Sequence, residues 1–213
     1  YCKMLCSLNI PLLFIDSPAD GFNAPLEADR LYMDNRTEIY SFVKEMIRRG
    51  KNRIGFVGKY MHCQSFYERY MSYRNAMYVM GLSCPEEYCL IENKQELSGY
   101  SRDSWNEYLT EYIRKMKNLP DVFICANDSV ALDVMQVLNS LNYSVPDDVY
   151  LCGFDDSPES RVVTPSLTTI HIHSQDIGLS AVQLLVSRIK EPFLNYRTMY
   201  IETNLIFRES TGD

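Results

Sequence analysis

The apolar run VYLCGF (149–154) stops at two adjacent carboxylates, Asp155 and Asp156. Like charges side by side repel, and a simple turn does not need two of them. The pattern recurs: PLLFI (11–15) stops at Asp16, and VFICA (122–126) stops at Asn127 and Asp128. Aspartate accepts hydrogen bonds, and asparagine both donates and accepts. With a nearby arginine fork, such a set makes a receptor for a polyhydroxylated ligand, and it discriminates because a wrong ligand leaves buried polar groups unpaired. Each residue alone is an ordinary turn former. Their recurrence at the ends of three apolar runs favours a shared pocket.

Other chemistry-bearing residues lead less far. His171 and His173 lie two apart and would share a face if extended, but no third metal ligand stands near them. Cys125 and Cys152 sit inside apolar runs without a histidine nearby, where thiols are inert. RIGFVGKYMH (53–62) has a glycine pair without the spacing of a dinucleotide fingerprint. The expectation is therefore a binding protein with no catalytic residues, no metal and no cofactor. Tyr60, Tyr67, Tyr70, Tyr73 and Tyr78 cluster along one stretch; they read as core and surface, with an interface as the functional alternative.

The elements that hold these residues alternate in type. PLLFID, RIGFVG, YCLIE (88–92), DVFICAND (121–128) and DVYLCGFDD (148–156) are short and continuously apolar, as strands covered on both faces must be. Between them, Ile39, Phe42, Val43, Met46 and Ile47 mark a helix over 34–50, started by Asp34 or Asn35 and ended by Gly50. Further helices are expected from Gln64 to Met80, from Ser98 to Lys117, over 128–142 with Asp128 as its cap, and over 174–189. TPSLTTIHI (164–172) reads as a crossing segment. Strand and helix thus repeat at about 30-residue spacing, the pattern of βαβ units in a doubly wound α/β sheet. In such a sheet the carboxyl ends of the strands form the ligand crevice.

Composition sets the outer limits. The 213 residues carry a net charge of −7 and no dense Lys/Arg block, so this chain alone is not expected to grip a phosphate backbone. No apolar run approaches the roughly 18 residues of a membrane-spanning helix. Seven cysteines without CxxC spacing argue for a reducing, cytoplasmic setting rather than a disulfide framework. The N-terminal YCKMLCSLNIPLLFID does not read as a signal peptide and lacks an initiating Met.

Longer stretches resemble a known family. YMDNRTEIYSFVKEMIRRGKNRIGFVG, SFYERYMSYRNAM, CANDSVAL, VPDDVYLCGFDD, TPSLTTI and FREST are similar, in order and over nearly the whole chain, to lactose/galactose-repressor (LacI/GalR) transcription factors. The resemblance implies a two-lobed fold like that of periplasmic sugar-binding proteins, each lobe a mostly parallel sheet flanked by helices. Residues 1–34 and 173–199 would be the remainder of an incomplete N-terminal lobe, and 35–172 with 200–213 the C-terminal lobe. A DNA-binding helix-turn-helix headpiece would lie outside this chain. The implied function is to sense a small sugar-like effector between the lobes, as a homodimer, and to couple it to operator affinity. A solute-binding protein of a sugar transporter is the alternative with the same fold.

By motif, the resemblance assigns effector contact to Asp16, Arg69, Asn127 and Asp155, and so selects Asp155 over Asp156 as the inward member of the doublet. Where the family often places a stacking aromatic, this chain has Lys94, which joins the candidate set and would suit an acidic or phosphorylated effector. Substituting Asp155 or Arg69 is expected to remove effector binding and leave the fold, and substituting Asp156 to do the reverse.

Overall fold

The structure, a computed structural model, describes residues 2–16, 26–61, 63–91 and 102–213. The continuously apolar runs form strands, and the chain order is α1 (Cys2–Cys6), β1 (Leu13–Ile15), β2 (Asp29–Met33), α2 (Thr37–Arg48), β3 (Ile54–Val57), α3 (Gln64–Val79), β4 (Cys89–Leu90), α4 (Arg102–Lys115), β5 (Val122–Cys125), α5 (Asp128–Ser140), β6 (Tyr150–Cys152), α6 (Pro158–Val162), β7 (Thr169–Ile172), α7 (Ser174–Lys190), β8 (Thr198–Ile201) and β9 (Thr203–Ile206). One parallel sheet has the order β1-β2-β8 and a second the order β4-β3-β5-β6; β7 and β9 form an antiparallel ribbon.

The second sheet shows why its strands carry no polar alternation. Successive side chains point to opposite faces. Ile54 and Phe56 of β3, with Ile124 of β5, pack against Ile39, Phe42 and Met46 of α2 and Tyr73 and Met77 of α3. Val57, Phe123 and Cys125 face the other way, into Leu109 and Ile113 of α4 and Val134 and Leu138 of α5. Both faces are buried, so both must be apolar, each large side chain stabilising the fold by about 1.5–3 kcal/mol.

Helix α2 follows its sequence signals closely. Ile39, Phe42, Val43 and Met46 are its buried face. The carboxylate of Asp34 accepts from the amides of Arg36 (2.8 Å) and Thr37 (3.2 Å) at the start. Gly50 ends the helix at φ 79°, with the amide of Lys51 reaching back to the carbonyl of Met46 at 2.9 Å. Among the described residues no helix is long and apolar enough to cross a membrane.

Three features differ from the sequence reading. TPSLTTIHI is more than a crossing: Thr169–Ile172 is strand β7, and the carbonyls of Thr168, just before it, and Ile170 each accept from the exit of β6, at the amides of Gly153 and Asp155 (both 2.9 Å). Leu167, Thr168, Thr169 and Ile170 are buried in succession, so no period-two pattern marked the strand. Strand β2 also escaped notice, because it begins with the charged pair Asp29–Arg30. Asp29 is fully buried and held by Arg188, Nε and Nη2 each donating at 3.0 Å, and by the Arg197 amide at 2.7 Å. Burial pushes the Asp29 pKa up, but these bonds outweigh it and hold the carboxyl at about 2. Arg188 also donates to the carbonyls of Pro192, Leu194 and Asn195, which fixes the turn between α7 and β8.

Finally, α5 is capped by Asn127 rather than Asp128: Asn127 Oδ1 accepts from the Val130 amide at 3.0 Å, and Asp128 is already the first helical residue. At the far end of the chain only Glu202 separates β8, in the first sheet, from β9, in the ribbon. There the Asp34 amide donates to the Ile201 carbonyl at 2.7 Å, and the Thr203 hydroxyl donates to the Asp34 carbonyl at 3.0 Å.

Candidate functional site

Three of the sequence-selected residues meet around the first turns of α3. Asp16 closes β1 in the left-handed region, at φ 44°, and its Oδ1 accepts from Ser65 Oγ in the first turn of α3. One turn on, Arg69 is buried, and its guanidinium is almost fully committed. Nε donates to Asn35 Oδ1 (2.9 Å), Nη1 to the Ala126 carbonyl (2.7 Å), and Nη2 lies 3.4 Å from Met33 Sδ. The planar group stacks over the Phe154 ring at 3.5 Å. Its remaining ionic partner is Asp155 Oδ1, at 3.5 Å from Nη2.

Asp155 is half-buried at the exit of β6, with φ 112°. A non-glycine residue so far into positive φ is held there by its surroundings, here by the Asp155 amide bond to Ile170 and the Arg69 contact. Burial pushes its carboxyl up to about 6, Arg69 opposes the shift, and the charges of Asp128 and Asp16 add to it. Burial pushes the Arg69 guanidinium down, against the pull of Asp155 and Asp16. The site is thus a buried cation between carboxylates that are not fully neutralised. Such groups can donate to and accept from hydroxyls.

Asp156 turns the other way. Its oxygens accept from Arg208 Nη2 and Arg161 Nη2, both at 2.5 Å, and from His171 Nδ1 at 2.9 Å. Burial raises its pKa, but the bonds from Arg161 and Arg208 prevail and hold it at about 2. Asp128 is structural in the same way: its carboxylate accepts from the Ser157 amide (2.7 Å) and Thr169 Oγ1 (2.6 Å). The pair at the end of VYLCGF therefore serves two sides of one turn.

Asn127 stands beside this centre through its neighbour Ala126, but its amide oxygen is occupied by the helix cap. Only its Nδ2 is left to donate. Lys94 lies outside the described residues. His171 and His173 stack edge-on at 4.8 Å, His173 pairing with Asn204 Oδ1 at 2.5 Å. Among the described residues no group of three His, Cys, Asp or Glu side chains could hold a metal.

Sequence reasoning missed the shell that orients Arg69. Asn35, fully buried where the chain leaves the first sheet, donates Nδ2 to Glu68 Oε2 (3.0 Å), and Gln64 donates to Glu68 Oε1 (2.9 Å). The signal was present: Ser65, Glu68, Arg69 and Ser72 are polar at i, i+3, i+4 and i+7, one stripe on α3, and all four are buried. A polar stripe on an inward face marks a site as surely as an apolar one marks a core.

Comparison with known proteins identifies the family and the fold. The model of the periplasmic binding protein-like domain family matches residues 43–211. The chain is 28% identical over 202 residues to the HTH-type transcriptional regulator GalR of Lacticaseibacillus casei, covering 94% of this chain and 59% of that protein. Among solved structures, a putative transcriptional regulator of the LacI family from Sanguibacter keddieii superposes with a TM-score of 0.78 at 27% identity, over 95% of this chain and 72% of that one. A LacI family regulator from Enterococcus faecium, with bound ribose, superposes with a TM-score of 0.74 at 19% identity, over 94% and 70%. The chain belongs to the periplasmic binding protein-like domain family, within its LacI/GalR group, and it has that α/β fold with parallel sheets. It spans less than two-thirds of the length of the curated relative.

Proposed function

We propose that this chain is the ligand-sensing part of a cytoplasmic DNA-binding transcriptional regulator, with a small polyol or sugar as effector. The observation that carries the reading is the pairing of buried Arg69 with Asp155, next to Asp16, where the ends of β1 and β6 approach α3. Two carboxylates, Asp155 and Asp16, act on one cation, which favours neutral hydroxyl-bearing ligands over anions. The ribose bound by the Enterococcus relative supports the sugar reading, and the name of the GalR relative supports the regulator.

On this reading the two parallel sheets belong to separate lobes, residues 1–34 with 173–199 and residues 35–172 with 200–213; Tyr200 and Ile201 still pair with the first sheet. The effector bridges them, Asp16 from one side and Arg69 and Asp155 from the other. A ligand that prefers one lobe arrangement shifts the population of a homodimer toward it by its differential affinity, about 1–3 kcal/mol for such a sensor. DNA is engaged through a helix-turn-helix outside this chain, and no catalytic step is involved. Calorimetry with mono- and disaccharides and their phosphates tests the assignment. Saturable binding of a neutral sugar, weakened roughly tenfold or more in Asp155→Asn, is expected. A ligand whose affinity is the same in Asp155→Asn and Arg69→Lys removes these residues from the site.

A further inference from the structure

The tyrosines around α3 are not spent on the crevice. Tyr67, Tyr70, Met71 and Arg74 follow one another at i, i+3, i+4 and i+7 on the side of the helix opposite the polar stripe of Ser65, Glu68, Arg69 and Ser72. With Tyr60 and Tyr112 they line a cavity of about 740 Å³ beside β4, the edge strand of the second sheet, whose Cys89 also lines it. That volume falls in the range of small-molecule sites.

The wall of this cavity is aromatic and continuous. The Tyr60 ring lies 4.9 Å from that of Tyr70 and 6.2 Å from that of Tyr67, centroid to centroid. Such rings offer faces for a flat ligand to stack on. Tyr112 is pinned across from them, its hydroxyl donating to the Glu87 carbonyl at 3.0 Å. One cation completes the lining. Arg74 lies 5.9 Å from the Tyr70 ring and is exposed, and it pairs with no carboxylate among the described residues; Glu86, which also lines the cavity, is beyond ion-pair distance. In a chain of net charge −7, a guanidinium that bonds the Tyr70 hydroxyl but no carboxylate among the described residues keeps donors for a negative group on an aromatic body.

We propose that this cavity is a second binding site, separate from the crevice, for a planar aromatic anion such as an aryl carboxylate. The two sites are opposite in character. The crevice sets Asp155 and Asp16 against one cation and disfavours anions, whereas the tyrosine cavity has a cation with no carboxylate partner among the described residues, and stacking surfaces. The proposal does not depend on what the crevice binds.

Titration calorimetry with 4-hydroxybenzoate as probe tests it, with cyclohexanecarboxylate and benzyl alcohol as controls that lack the aromatic ring and the charge. Saturable binding at one per chain is expected, weaker by at least about tenfold for both controls and for the exposed-site variant Arg74→Gln, and unchanged in Asp155→Asn. Absence of saturation, equal affinity in Arg74→Gln, equal affinity for the controls, or loss in Asp155→Asn would each overturn the second site.

Discussion

Asp156 and Arg208 stand fifty-two residues apart in sequence and meet at 2.5 Å, Arg208 Nη2 donating to Asp156 Oδ1. Arg208 also donates to the Leu167 carbonyl at 2.9 Å, so one ion pair joins the turn after β6, the segment before β7 and the end of the chain. Removing the carboxylate leaves Arg208 and Arg161 without their ionic partner and His171 without its acceptor. Asp156→Ala is expected to destabilise the fold by about 2–4 kcal/mol in urea denaturation while leaving effector affinity within a factor of two or so. Full stability with lost affinity would reverse the roles of the doublet.

Asp155 should behave in the opposite way. Asp155→Asn keeps the shape of the side chain but removes the charge that receives hydroxyl protons, so affinity for a neutral sugar should fall by roughly tenfold to a hundredfold by calorimetry. Stability should hardly change, because a partly desolvated carboxylate has been neutralised. Arg69 is a harder residue to test than the sequence implies. It also holds Asn35 and the Ala126 carbonyl, so Arg69→Ala should lose stability as well as binding. Arg69→Lys is the cleaner probe.

Effector affinity should fall as pH drops through about 6, where Asp155 gains its proton, and the dependence should vanish in Asp155→Asn. The effects on stability have opposite signs. With a folded pKa above the ordinary 3.8, Asp155 stabilises the fold fully below about 3.8 and loses that contribution as pH rises through 6. Asp29 and Asp156, depressed to about 2, stabilise above 3.8 and lose their contribution as pH falls toward 2. Binding isotherms from pH 5 to 8 and acid denaturation of the three Asp→Asn variants separate these terms; a flat wild-type isotherm series would remove Asp155 from the first.

Gly153→Ala should be poorly tolerated. A Cβ there would lie 2.1 Å from Asp128 Oδ1 and 3.0 Å from Leu167 Cδ2. Either the Asp128 bonds to Ser157 and Thr169 break or β6 moves, and a midpoint shift equivalent to about 1–3 kcal/mol is expected. An unchanged denaturation curve would mean that this packing is softer than drawn.

Asp29→Asn should cost about 3–5 kcal/mol, because Arg188 would stay buried among carbonyls without its carboxylate. Effector affinity measured on the remaining folded protein should hold, since Asp29 is remote from Arg69.

What could be read from sequence follows from which signals are local. The strands of the second sheet announced themselves because both faces are buried, and α2 because its apolar face, cap and glycine exit all agree. Strand β2 did not, since its first residues are charged and their neutralising partners, Arg188 and Arg197, come more than 150 residues later. The carboxylates of the crevice were visible as interruptions at strand ends. Asn35 was not, because its importance lies in what it touches, and Glu68 showed only as part of a polar stripe on α3. The cap of α5 was assigned to Asp128 and falls on Asn127, a choice that one residue of register decides.

Glu202 is a short tether. One residue spans little more than 3 Å, so the strands on either side of it cannot slide apart, and the neighbouring passage at Asp34 is laced to it by the bonds from Ile201 and Thr203. Any reorientation of the first sheet against the ribbon must pivot about this stitched point. On the two-lobed reading proposed above, opening and closing would be a swivel about this point, with no slack for the lobes to come apart.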